Sequence, residues 1–347
     1  MTTPQLGRRN LLFGGAVIGA GALASACTSN SSKPEAAQVK AAGGDNAAPG
    51  KQVTIGFSAP AADHGWVAAV TQNGKAQAGQ YKDVTLKATE GTNDVTQQIQ
   101  QVQSLIDQKV DVLVILPFDG KALTEVAKKA MAAGIPVVNL DRIFASALAY
   151  RTWIGGDNYG MGVSAGNHIA QQLKGKASPV IVEIAGLDNL ELTQQRSKGF
   201  KESLAAAGLK VTARQAADFT AATGQKVTAQ VLQANKKIDA MWNHDDDQGI
   251  GVMAAIKQAG RDKEFLMVGG AGSKKAMDDI KADNTPLKAT VLYSPSMASS
   301  AISLARLLGQ GKGMADLVER EVPAMVTTFS AVVTKDNVDQ YMSVGFS

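Results

Sequence analysis

One cysteine and three histidines are all that this 347-residue chain offers of the side chains that close disulfides and most transition-metal sites. An internal disulfide is excluded, and none of His64, His168 and His244 stands at metal-ligand spacing from Cys or Glu partners. The formal charge is only +4, a balance that gives no support to nucleic-acid binding. There is no Walker sequence, Gly269-Gly270-Ala271-Gly272 lacks the spacing of a dinucleotide fingerprint, and no nucleophile elbow is expected. The run Asp245-Asp246-Asp247 lacks the spaced oxygens and later glutamate of a calcium loop. Helix capping by Asp246 or Asp247 is expected there, and neither metal nor cofactor is implied.

The single cysteine is informative by its place. Arg8 and Arg9 give a positive start, Leu11 to Leu23 is an uncharged and mostly apolar stretch, and Ala24-Ser25-Ala26 supplies small residues directly before Cys27. Those are the parts of an export signal, too short and glycine-rich for a spanning helix. Residues 1–26 are therefore expected to be a lipoprotein signal peptide and Cys27 the lipid attachment point. Gly7-Arg8-Arg9-Asn10-Leu11-Leu12 also resembles a twin-arginine motif, which leaves the export route open. Residues 27–51, rich in Ala, Ser, Gly, Asn and Pro, have the composition of a flexible tether. The chain is expected on the outer face of the cytoplasmic membrane.

From Gln52 onward short β-branched runs alternate with amphipathic stretches, the pattern of parallel α/β sheets. Strands are expected at 53–58, 84–88, 112–116, 136–139, 180–184, 211–216, 240–242, 265–268 and 289–292. Helices are expected at 95–108, 121–133, 161–173, 194–207, 225–234, 250–258 and 297–308. Residues 53–139 and 180–268 form two similar βα series, and the length after the leader suits two domains.

In doubly wound sheets ligands bind beyond the carboxyl ends of the strands. The residues there are Asp63, His64 and Trp66 after the first strand, Phe118 and Asp119 after the third, and Asp141 and Arg142 after the fourth. The second half contributes Arg196 at the start of its first helix, then Asp218-Phe219, then the stretch from Asn243 to Asp247. Carboxylates accept from hydroxyls, guanidinium groups donate to them, and aromatic faces cover the C–H side of a ring. That set suits a neutral polyhydroxyl ligand.

From about Val53 to Val333 the chain resembles the periplasmic-binding proteins of the ribose-binding type, the solute receptors of sugar ABC importers. The match rests on Val138-Asn139-Leu140-Asp141-Arg142, on Arg196-Ser197-Lys198-Gly199-Phe200 as the family's Arg-x-x-Gly-Phe, on Ala217-Asp218-Phe219, and on Asp245-Asp246 where the family has Asn-Asp. Asp63-His64-Gly65-Trp66 matches an aromatic loop more loosely. The resemblance implies two doubly wound parallel-sheet lobes joined by a three-strand hinge near Gly156-Asp157, Tyr293-Ser294 and Met325-Val326. The N-terminal lobe would be 52–156 and 294–325, the C-terminal lobe 157–293 and 326–347. It also implies a monomeric sugar or polyol receptor, partnered by an ABC permease and not an enzyme, with Asp63, His64, Trp66, Phe118, Asp119, Asp141, Arg142, Arg196, Phe219, Asp245 and Tyr293 as ligand-binding residues.

Three positions depart from the family. Ala271 stands in the place of a ligand-binding aspartate, Tyr293 replaces a glutamine that contacts ligand at a lobe crossing, and Leu116 replaces an asparagine. They imply a ligand other than ribopyranose. Two other classes share features with this pattern. A sugar-responsive repressor would carry a DNA-reading helix-turn-helix where this chain has its leader and tether. A sugar-acting enzyme would need paired catalytic acids, which nothing in the sequence supplies.

Overall fold

The computed structural model of the protein describes residues 46, 48–314 and 321–347. The leader, Cys27 and nearly all of the tether lie outside the described residues. The described residues 46, 48, 311–314, 321 and 322 fall in a small unit of their own, in which Asn46 Nδ2 donates to the Gly313 carbonyl at 3.2 Å. The rest is an α/β unit built on two six-stranded sheets.

The first sheet holds β1 (Val53–Ser58), β2 (Val84–Ala88), β3 (Val112–Ile115), β4 (Val137–Leu140), β5 (Thr152–Gly156) and β11 (Met325–Thr328), in the order β11-β5-β4-β3-β1-β2 and all parallel. Its helices are α1 (Gly65–Gln80), α2 (Val95–Asp107), α3 (Gly120–Ala132) and α9 (Met297–Gln310). The α1–α9 pair covers one face and the α2–α3 pair the other. Covered on both faces, β3 reads as an unbroken apolar run, and β4 is buried throughout with Asn139 as its one polar residue. Ile55, Phe57, Leu113 and Ile115 are fully buried, and burial stabilises each by about 1.5–3 kcal/mol.

The second sheet repeats the plan with β6 (Ile181–Ala185), β7 (Ala213–Ala216), β8 (Ala240–Asn243), β9 (Leu266–Ala271), β10 (Leu287–Leu292) and β12 (Val332–Thr334), in the order β12-β10-β9-β8-β6-β7. Only β12 runs antiparallel. Around it lie α4 (Asn158–Gln172), α5 (Glu191–Ala206), α6 (Ala221–Ala234), α7 (Asp246–Gln258), α8 (Lys274–Ala282) and the short α10 (Val338–Tyr341). β2 and β7 sit at sheet edges and carry exposed Lys87 and Arg214, charges that discourage edge pairing with another chain.

The chain passes between lobes three times: from β5 into α4 through Asp157, from β10 into α9 through Tyr293 and Ser294, and from β11 to β12. The third passage corrects an expectation. Met325 to Thr328 pair in register with Trp153 to Gly156, and Trp153 N donates to the Ala324 carbonyl at 2.9 Å. The chain thus stays in the first sheet past Met325-Val326 and crosses between Thr328 and Val332. The strand β5 that holds it there escaped periodicity because it ends in two glycines. The helices α1 and α8 were not expected either.

Candidate functional site

Six βα turns end on a residue that caps the next helix, while His64 before α1 and Leu190 before α5 make no such bond. Asp94, Asp119, Asp157, Thr220, Asp245 and Ser273 each accept a hydrogen bond from an N–H in the following first turn, replacing backbone bonds the helix start cannot make. The cap of α7 is therefore Asp245, not Asp246 or Asp247 as expected. Asp246 turns inward and accepts from the N–H groups of Gly270, Gly272 and Ser273 at 2.8–2.9 Å and from the Thr290 hydroxyl at 3.0 Å. It ties α7 to the end of β9. Among the described residues no three His, Cys, Asp or Glu side chains are grouped to hold a metal.

The carboxyl ends of the two sheets face each other across a small cavity of about 20 Å³. The first lobe lines it with His64, Trp66, Asp141 and Arg142. The second contributes Leu192, Arg196, Phe219, Asp245 and Ala271, and Tyr293 enters from the second crossing. In this closed arrangement there is room for about one water, because side chains of both lobes already touch.

Asp141 adopts φ 61°, a left-handed conformation that aspartate tolerates better than most residues. Trp153 holds it by donating its indole N–H to the Asp141 carbonyl at 2.8 Å. Phe219 at φ 71° and Ala271 at φ 89° share this unusual geometry. Among the described residues, three of the six non-glycine residues with positive φ thus line one cavity, the placement expected where backbone strain serves function. Space for the Phe219 ring comes from Gly186, where a Cβ would lie 2.0 Å from it.

Arg196 is the centre of the second lobe's contribution. It lies one and a half turns into α5 instead of at its start. Its Nε donates to Asn158 Oδ1 at 2.9 Å and its Nη1 to the His244 carbonyl at 3.1 Å. The guanidinium lies 4.7 Å over the Tyr293 ring, a favourable cation–π placement. Asn158 then donates to the Tyr293 hydroxyl at 3.1 Å, and Tyr293 donates to Asp141 Oδ1. One polar chain therefore runs Arg196, Asn158, Tyr293, Asp141 through the hinge. Beside it, Arg142 Nη1 donates to the Phe118 carbonyl at 2.8 Å while its buried Nε has no partner.

Burial pushes the carboxyl of Asp141 above its usual range, against the Tyr293 hydroxyl, Arg142 and Arg196, which favour its charged form. Asp245 is pushed up to about 6, by burial first and then by the like charge of Asp247. His64 moves the other way from what burial alone would do: Asp63 at 2.5 Å, Asp245 and Asp247 outweigh desolvation and raise it. The cavity thus holds two guanidiniums and two carboxylates and is closed by aromatic faces, a composition that hydrogen-bonds many hydroxyls without selecting a net charge.

A periplasmic binding protein domain model matches residues 55–313. The chain belongs to that family. Within it the resemblance is to the ribose-binding type: the ribose import binding protein of Bacillus subtilis is 32% identical over 71% of this chain and 78% of its own length. The galactofuranose-binding protein of Escherichia coli is 30% identical over 85% and 93%. A crystal structure from Mycobacterium smegmatis in complex with β-D-fucofuranose superposes with a TM-score of 0.76 at 27% identity, covering 84% of this chain and 94% of that one. These relatives are binding proteins, and the chain is a periplasmic binding protein of the sugar-binding kind, not an enzyme.

Not every expected site residue of the binding protein reaches the cavity. Asp63 is exposed and orients His64. Phe118 lies under the Arg142 guanidinium at 5.7 Å. Asp119 faces a wider groove of about 750 Å³ that adjoins the cavity at Asp141, Arg142 and Leu192. Leu192, Asn158 and the His244 carbonyl were missed. So were two buried glutamines with matching jobs. Gln98 accepts from Phe118 N at 2.8 Å and Gln248 from Phe219 N at 2.9 Å, each pinning a βα loop.

One pattern in the sequence needs correcting. Gly162-Val163-Ser164-Ala165-Gly166 does fit the Gly-x-Ser-x-Gly spacing, yet it lies inside α4 and not on a strand-to-helix turn, so no nucleophile elbow exists. These glycines serve packing. A Cβ on Gly162 would meet the Arg196 carbonyl at 2.0 Å, and one on Gly166 the Ser203 hydroxyl at 1.9 Å. They let α5 lie close enough for Arg196 to reach Asn158.

Proposed function

We propose that this protein is an exported lipoprotein that closes its two lobes on a monosaccharide or sugar alcohol and delivers it to an ABC importer, working as a monomer. In this reading residues 1–26 are removed, Cys27 carries the lipid, and the tether up to Lys51 separates anchor from fold. The observation that carries the ligand class is the pairing of Asp141 and Arg142 from one lobe with Arg196 and Asp245 from the other, under the faces of Trp66, Phe219 and Tyr293. Ribose, galactofuranose and fucofuranose in the names of the relatives support a sugar.

Opening at the three crossings would admit the ligand, and closure would surround it. Arg142 Nε and the free oxygens of Asp141 and Asp245 would then meet hydroxyls in a site from which water is excluded, where charge-assisted hydrogen bonds are strongest. Asp63, Phe118 and Asp119 would act indirectly. Titration calorimetry with a panel of pentoses, hexoses and polyols tests the reading, and sugars recovered unchanged separate binding from turnover. Response to amino acids or peptides alone would overturn the sugar assignment. For the anchor, Cys27→Ala should release the protein from membranes and leave ligand binding intact; a variant that still partitions with detergent would sink the lipoprotein reading.

A further inference from the structure

The helix α1 starts without a cap of its own. Its N-cap residue is His64, which makes no side-chain bond to the helix because its ring is turned to Asp63. The acceptor comes from the other lobe instead. Asp247, in the first turn of α7, accepts from Trp66 N through Oδ2 at 2.8 Å, at the position where an N-cap side chain normally accepts. A Cβ on Gly65 would lie 2.7 Å from Asp247 Oδ1, so the carboxylate fits only because residue 65 has no side chain. A negative group there also complements the helix dipole. Trp66 passes the contact on: its indole N–H donates to the Tyr293 carbonyl at 2.8 Å, and its ring sits 5.7 Å from the Tyr293 ring at the second crossing.

We propose that Asp247 is a positioning residue for ligand capture, a latch whose carboxylate caps α1 across the cleft and so ties closure of the lobes to the placement of Trp66. Opening the cleft removes the cap and returns the Trp66 amide to water; closing restores both. The latch draws on the two-lobe closure described above and is independent of which sugar binds.

The test compares the full chain with Asp247→Ala and Asp247→Asn, first without added sugar. Amide hydrogen exchange at Trp66 should speed up by roughly fivefold or more in Asp247→Ala, the size of a helix cap, with small-angle scattering shifting toward a more open molecule. Asp247→Asn keeps an acceptor oxygen and should stay near the parent in both. Added in excess, D-ribose, D-galactose or glycerol that binds the parent should dissociate faster from Asp247→Ala with a smaller change in association. Faster exchange at α1 with unchanged scattering and unchanged release would mean a local cap only and would overturn the latch, as would unchanged exchange. If no sugar binds any form, the functional reading fails while the scattering comparison still decides the latch.

Discussion

Tyr293 donates its phenol hydroxyl to the carboxylate of Asp141, joining the second lobe crossing to the first lobe inside the cavity. Both residues are buried. The bond occupies one oxygen of the carboxylate that the family resemblance marks as a sugar clamp, and it stabilises the charge of Asp141 against desolvation.

Replacing Tyr293 with Phe should therefore leave Asp141 buried with one donor fewer, at a cost of about 1–3 kcal/mol. The sign with pH follows. Asp141 is already raised above its unfolded value, so its contribution to stability declines as pH rises through that range, and losing the hydroxyl raises it further. The stability gap between Tyr293→Phe and the parent should widen from pH 4 to pH 7. Urea unfolding at the two pH values checks this; a gap that narrows contradicts the assignment.

Arg142 and Arg196 enter the cavity from opposite lobes, so they should contribute separately to affinity. Truncating either to Ala removes charge-assisted bonds and leaves acceptors unpaired in a dry cleft, costing on the order of 1.5–3 kcal/mol per contact. Calorimetry with the best sugar of the panel reads this directly. Unchanged affinity in both folded variants would remove the proposed site.

The residues most legible in the sequence were those set by strand ends. Asp141, Arg142 and Asp245 follow apolar runs whose period and length mark buried strands, Phe219 follows the edge strand β7, and all four line the cavity. Asn158 was not legible, because β5 ends in Gly155-Gly156 and carries no alternation that would place a loop after it. Gln98 and Gln248 sit on helices, where a polar residue normally reads as a solvated face; both are fully buried. Asp83 and Arg306 are 223 positions apart and are paired only by the return of α9 to the first lobe.

That last pair anchors the entry to the fold. Arg306 Nε donates to Asp83 Oδ1 at 2.7 Å and Nη2 to Oδ2 at 2.6 Å, with Gly50 N also donating to Asp83 at 2.5 Å. Arg306 holds the Asp83 carboxyl well below the usual range. Asp83→Asn should cost roughly 2–4 kcal/mol by leaving a buried guanidinium without its counter-charge. The loss should be full at neutral pH and shrink below pH 4, where the unfolded parent chain takes up a proton that its fold resists, since a lowered carboxyl contributes its full stability only above its unfolded pKa. Equal thermal midpoints for variant and parent at pH 7 would contradict the role.

Asp245 predicts the opposite slope. Its folded value of about 6 lies above the ordinary 3.8, so the native state holds a proton that the unfolded chain has released, and stability declines as pH rises between the two. Asn caps a helix as well as Asp, so Asp245→Asn keeps the start of α7 while removing the buried charge. Without ligand the variant should be more stable than the parent by roughly 1–3 kcal/mol at pH 7, with the advantage fading toward pH 4. A variant less stable at pH 7 than at pH 4 relative to the parent would mean that Asp245 is charged and satisfied in the fold.

Ala271 and Tyr293 are the two positions from which a shift in selectivity is expected. The resemblance places a ligand-binding aspartate where Ala271 lines the cavity, and a compact amide where the Tyr293 ring now lies under Arg196. One hydroxyl clamp is absent and a flat apolar wall is present, so a ligand with fewer hydroxyls on that side, such as a deoxysugar, a furanose or an acyclic polyol, should bind better than ribopyranose. A ligand that binds only the folded form stabilises it by about 4 kcal/mol at a thousandfold excess over its Kd, enough for thermal shifts to rank a panel. At least one polyol or non-ribose sugar should outrank ribose clearly, and Ala271→Asp should move the ranking back toward ribose. If ribose gives the largest shift in the parent, the two positions do not govern selectivity, and the cavity must hold its ligand through Asp141, Arg142 and Arg196 alone.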